Sequence, residues 1–176
     1  VALALIDYDG LTDAGAPQLA DLFDNHRTPV FTSAYRVFDW DWGCNCRGDA
    51  ITDWPATLMG IQTAPNEVVR MPDADTNIGG GYVALVLYAD TQRITLKYTR
   101  EDNVLHGYTL HLEGVTVDAN LLALYRTLDR NGRWDLPTLR PRQVIGVARG
   151  NEILVSIRDS GAFLDPRSRK DWWKGK

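Results

Sequence analysis

The chain has 176 residues, with 19 Lys and Arg against 23 Asp and Glu, 3 His, 2 Cys and 6 Trp, which is enough for one soluble domain to bury a core without metal or disulfide staples. No apolar run approaches the roughly 18 residues of a membrane span, so no membrane span is expected, and the opening VALALI carries no signal-type pattern. Charge is uneven: residues 1–132 hold 9 Lys and Arg against 18 Asp and Glu, and residues 133–176 hold 10 against 5. That asymmetry reads as two parts of one domain attracting each other, and no nucleic-acid partner is expected.

Ala2–Asp7 reads as a short buried strand and Asp9-Gly10 as a turn. Pro17 opens a helix through PQLADLFDNH, with Leu19, Leu22 and Phe23 on one face and an end near His26. Residues 1–30 are therefore expected to form an N-terminal arm, strand plus helix, packed on a β-rich domain over 31–166. Ser33–Phe38 predicts a strand, followed by a loop over Asp39–Asp49 that is dense in rings and carboxylates. Indole rings stack on the apolar faces of sugars while carboxylates accept hydroxyl bonds, which makes Trp40, Trp42, Asp41 and Asp49 candidate ligand-binding residues. The plainer alternative is that Trp40 and Trp42 close the end of a sheet.

Cys44 and Cys46 are separated by Asn45 alone. A tight disulfide, half of a metal site and two free thiols are the competing readings, and an oxidising compartment favours the disulfide, which is carried forward. No second Cys/His pair stands at zinc-ligand spacing, so no metal is expected. The triplet Arg47-Gly48-Asp49 spells an adhesion motif of a kind that arises often by chance, and is set aside.

Thr57–Ile61 and Glu67–Met71 are short strands, and Pro72–Gly81 a loop. The glycines of that loop precede a strand rather than a helix, so they form no phosphate cradle, and Asp73 and Asp75 lack the remainder of a calcium loop. Tyr82–Ala89, Arg93–Tyr98 and Tyr108–Val117 predict three strands of one sheet. They bring the acids Glu101 and Asp102 near His106, His111 and Glu113. His111 and Glu113, two apart on a strand, share one face. Paired imidazole and carboxylate are what acid/base hydrolysis needs, so His111, Glu113 and Glu101 are the catalytic candidates, and His111 with Glu113 are also ligand-binding candidates, the floor of any groove walled by Trp40 and Trp42. The same residues also fit the polar side of an ordinary alternating strand, and enzymatic activity is not claimed.

Asp118 is suited to cap a helix over Leu121–Asp129, with Asn131-Gly132 ending it. After the connection Leu136–Arg142, Gln143–Ala148 and Glu152–Arg158 read as strands joined by Arg149-Gly150-Asn151. Residues 167–176 read as a basic tail bearing Trp172 and Trp173. The fold class is mainly β, a β-sheet sandwich or barrel-like domain with one or two helices.

Over residues 66–166 the succession Tyr108-Thr109-Leu110-His111-Leu112, Val115 and Val117, Arg142-Gln143-Val144-Ile145-Gly146, Ile157-Arg158, Gly161, Phe163 and Asp165-Pro166 resembles the lysostaphin-type peptidoglycan endopeptidases, small β-rich zinc enzymes of bacterial envelopes. The resemblance places that family's final pair of zinc-binding histidines at Glu152 and Leu154, and leaves only Cys46-Arg47-Gly48-Asp49 for an upstream ligand stretch. Leucine cannot bind zinc, so what the resemblance implies is a relative without zinc chemistry and without a cofactor. The expected function is that of a non-catalytic extracellular or cell-surface domain binding cell-wall or other polysaccharide. The alternatives are a glycan hydrolase or lyase working through His111 and Glu113, and an assembly module joining protein chains through exposed Trp surfaces.

Overall fold

Strict alternation of apolar and polar residues builds the centre of the protein. In the computed structural model, which describes residues 1–176, Ile153, Val155 and Ile157 of one strand are fully buried, as are Leu110 and Leu112 of its neighbour. The intervening residues point to the opposite face. These belong to β12 (Glu152–Asp159) and β8 (Tyr108–Glu113), the middle of an eight-stranded antiparallel sheet. Its path runs β1 (Phe31–Tyr35), β4 (Leu58–Gln62), β12, β8, β7 (Arg93–Lys97), β6 (Ala84–Ala89) and β10 (Thr138–Leu139), with β13 (Ala162–Leu164) paired to the end of β12. A second sheet of three strands, β5 (Val68–Arg70), β11 (Val144–Ala148) and β9 (Val115–Val117), contributes Val69, Ile145 and Val117 to the same buried cluster. A third piece is a free-standing hairpin of β2 (Phe38–Asp41) and β3 (Cys46–Ala50). The fold is thus mainly β and sandwich-like; no sheet closes into a barrel.

The helix α1 (Ala119–Arg130) begins where expected, because the Asp118 carboxylate accepts the amide protons of Asn120 and Leu121 at 3.1 and 2.9 Å. It lays Leu121, Leu122 and Tyr125 on the core. Tyr108–Val117 is not one strand but two. Gly114, at φ +76°, turns the chain so that β8 stays in the large sheet while β9 leaves for the small one. Likewise β11 and β12 do not pair with each other: the Arg149–Asn151 link carries the chain from one sheet to the other.

The ends of the chain differ most from expectation. Ala2–Asp7 is not a strand, because its only ladder contact is a parallel bridge between Ile6 and Ser168. Where a longer helix was expected, Leu19–Leu22 makes a single 3-10 turn, although Leu19, Leu22 and Phe23 are buried as anticipated. The stretch expected to be a tail is packed into the core. Trp173 and Trp172 are buried, and their indole N–H groups donate to Pro166 and Asp165 carbonyls at 2.8 and 2.9 Å. The short helix α2 (Arg169–Trp172) ends on Trp172, and Trp173 caps it. Arg167, whose side chain is 1% exposed, grips the equally buried Asp165 through two bonds of 2.7 and 2.9 Å and donates to Ala2 O at 2.6 Å. Arg167 thus serves an internal ion pair rather than solvent.

Candidate functional site

The face of the large sheet turned away from the core is polar, and strand register sorts its side chains into rows. Thr95, His111 and Ser156 stand level across β7, β8 and β12. Arg93, Glu113 and Leu154 form the row on one side, and Lys97, Thr109 and Arg158 the row on the other. Within the middle row the His111 ring is held at both nitrogens. Nδ1 lies 2.7 Å from the Thr95 hydroxyl oxygen, and Nε2 lies 3.0 Å from Glu113 Oε1. Nε2–H donates to Glu113, and Nδ1 meets the Thr95 hydroxyl, accepting from it when the ring is neutral and donating to it when the ring is protonated. The ring addresses Thr95 and Glu113, and makes no hydrogen bond to Ser156 beside it.

The remaining acid/base candidates are not gathered at this point. Glu101 is bonded instead to His106, 2.9 Å from its Nδ1, and Asp102 is taken by Arg133 at 2.6 Å. That pairing holds Asp102 below the usual carboxylate range. Glu152, at one of the positions where the resemblance calls for a histidine, accepts from the hydroxyls of Thr32 and Ser33, the latter at 2.7 Å. Leu154 stands level with Glu113. No three His, Cys, Asp or Glu side chains converge as a metal-binding group.

The ring-and-carboxylate stretch is a hairpin rather than a loop. Its strands β2 and β3 set Trp40 opposite Arg47 and Asp41 opposite Cys46. The turn is closed by the Cys44–Cys46 disulfide, with Cα atoms 5.3 Å apart, and by Asn45 at φ +54°. Asp41 Oδ1 accepts the Gly43 amide at 2.7 Å, so one of its oxygens stabilises the turn. Trp40 of β2 and Trp42 just past its end lie beside each other, ring centroids 6.4 Å apart and 73° from parallel. Trp40 is 45% and Trp42 83% exposed. The base of the hairpin is tied to the large sheet by the Val37 amide, which donates to Thr57 Oγ1 at 2.7 Å.

Three depressions lie between the hairpin and the His111 face, neighbouring ones sharing wall residues. One of about 630 Å³ is bounded by Trp40, Trp42, Asp41 and Asp49. The next, about 390 Å³, shares Asp39 and Trp40 with it. The third, about 280 Å³, holds His111, Glu113 and Ser156, and shares Val37, Arg158 and Phe163 with the second. Arg158 and Phe163 are therefore walls common to the second and third depressions, and nothing in their local sequence marked them as candidates. Counting alternation from Ile153, Val155 and Ile157 would have put Ser156 and Arg158 on the His111 face. A separate cavity of about 500 Å³ lies against the chain ends, walled by Tyr8, Trp54, Tyr108 and Trp172. There the Tyr8 hydroxyl donates to Asp165 at 2.5 Å. No family model matches the chain, and no curated protein matches it.

Proposed function

We propose that the chain is a non-catalytic extracellular domain that binds a polysaccharide, of the cell wall or of another source, along the groove from Trp42 to His111. The observation that carries this reading is the run of linked depressions, with exposed indole faces at one end and hydrogen-bonding side chains at the other. A polymer with apolar ring faces and peripheral hydroxyls matches such a lining. His111 is held between the Thr95 hydroxyl and Glu113, an arrangement that orients a ring for ligand contact and equally for acid/base work, so a glycan hydrolase or lyase stays the alternative reading. The disulfide at the hairpin tip fits an oxidising compartment, and the resemblance to the lysostaphin-type enzymes fits a cell-envelope ligand.

The test is affinity for a panel of peptidoglycans and polysaccharides, measured for the parent, Trp42→Ala and Glu113→Gln, together with assay for new reducing ends and amines. Loss of a stacked indole costs about 1–2 kcal/mol, so Trp42→Ala is expected to weaken binding roughly five- to thirtyfold with no product formed. Product release by the parent that stops in Glu113→Gln while binding persists would make the protein an enzyme instead.

A further inference from the structure

Polar side chains inside a protein are normally paired, and buried cations almost always meet an acid. The row Lys97–Thr109–Arg158 departs from both rules. Lys97 is fully buried, and its ammonium has the His106 carbonyl as its one hydrogen-bond partner. Thr109 is 2% exposed and its hydroxyl has no partner at all, although the residue lines the His111 cavity. Arg158 forms no ion pair. Its Nε and Nη2 both donate to Gly161 O, at 3.1 and 2.8 Å, and its guanidinium lies 4.4 Å from the centre of the Phe163 ring. That leaves Nη1 unused at the junction of two depressions. Burial lowers the pKa of both cations. Acids in the neighbourhood, Glu101 and Asp159 for Lys97 and Asp39 for Arg158, pull the other way without coming to ion-pair distance.

We propose that this row is an anion-recognition site, in which Arg158 Nη1 and the Thr109 hydroxyl receive a carboxylate or phosphate group of the ligand while Lys97 supplies positive potential from the other side of Thr109. An anion placed there would pair the exposed edge of a guanidinium already fixed by a carbonyl and a ring, so little side-chain freedom is lost on binding. It would also give the orphan hydroxyl an acceptor. The hairpin end of the groove carries Asp41 and Asp49 beside the indoles, with Arg47 as its one cation. The ligand then has one orientation: neutral ring faces on the hairpin and an acidic substituent over Arg158. The inference rests on the polysaccharide reading for its ligand class, but the anion site itself is tested separately.

Titration calorimetry with oligogalacturonate, its neutral methyl ester and inorganic phosphate separates the possibilities, using the parent, Arg158→Gln, Thr109→Val and Trp42→Ala. The acidic oligomer should bind about tenfold or more tightly than the ester, as expected for one charge-assisted hydrogen bond. That gap should close in Arg158→Gln. Thr109→Val should bind the acid more weakly yet melt no lower than the parent, because the hydroxyl it removes is unpaired in the free protein. Equal affinity for acid and ester, a gap that survives Arg158→Gln, or a Thr109→Val variant that melts lower but binds normally would each overturn the proposal. If neither oligomer binds, the ligand is not a uronate polymer, the panel of peptidoglycans and polysaccharides decides the polysaccharide reading, and phosphate alone decides the anion site. A rise in melting temperature with phosphate in the parent but not in Arg158→Gln sustains it, and no rise in the parent overturns it. Phosphate that competes with the acidic oligomer on equal terms identifies a site for either anion; acid binding that phosphate cannot displace identifies a carboxylate.

Discussion

At the level of single residues, the groups that carry the chemistry are distinguished by what already occupies them. His111 and Glu113 were legible as a pair, because two positions on one strand share a face. Their engagement with Thr95 was not, because that residue is 16 positions away in sequence and reaches His111 only through the β7–β8 register. Arg158 and Thr109 were harder still: an unmet hydrogen-bonding need is a property of the surroundings and leaves no pattern in the chain. Tyr8 gives a residue-scale prediction. Its phenol is pushed up to about 12, first by burial and then by the hydrogen bond to Asp165. The folded protein therefore keeps this proton after the unfolded chain has lost it near the ordinary value of 10.0. The stabilisation is complete below that ordinary value and disappears as pH rises through the folded one. Urea melts across this alkaline window should show the parent losing more stability than Tyr8→Phe, and ultraviolet titration should show one late-ionising tyrosine missing from the variant.

At the level of elements, most strands were recognisable from alternation and from the glycines and prolines between them, whereas their partners were not. The sequence around Gly114 reads as uninterrupted strand, yet a single left-handed residue splits it between two sheets. The Asp39–Asp49 segment looks like a loop because its carboxylates and glycines have low strand propensity. Its pairing is sustained by the short disulfide-closed turn and by packing of Arg47, whose guanidinium lies 4.3 Å from the Phe38 ring centre. Because so small a ring removes little unfolded-state freedom, replacing both cysteines with serine should cost at most about 1–2 kcal/mol of global stability. The loss should be local. Amide exchange is expected to quicken over residues 38–50 and remain unchanged in β8 and β12, with affinity for the polysaccharide falling alongside. Exchange that quickens throughout the large sheet would show that the hairpin supports the whole fold.

At the level of the whole molecule, the mainly β class followed from composition and period, but the roles of the ends did not. Basic residues beside two tryptophans look like an exposed tail, and only three-dimensional packing reveals that Arg167 has Asp165 to neutralise it and that both indoles find carbonyl acceptors. Removing one partner of a buried pair strands the other, so Asp165→Asn should cost about 3–5 kcal/mol. Asp7→Asn, which loosens the exposed pair with Arg169, should cost less than about 1 kcal/mol. Chemical denaturation of the two variants measures the contrast. Equal and small effects would mean that the chain ends are not clasped by the internal ion pair.

The position of β12 sets the timetable of folding. It occupies the middle of the large sheet, between β4 and β8, yet it follows both in the chain, and its Glu152 pairs with Gln62. Until residues 152–159 have left the ribosome, β4 and β8 have no neighbour on their facing sides, and each presents an unpaired row of backbone donors and acceptors. The early product of synthesis is consequently two unjoined halves with open edges, a form that invites pairing between nascent chains, and closure waits for one late strand whose contacts span long stretches of sequence.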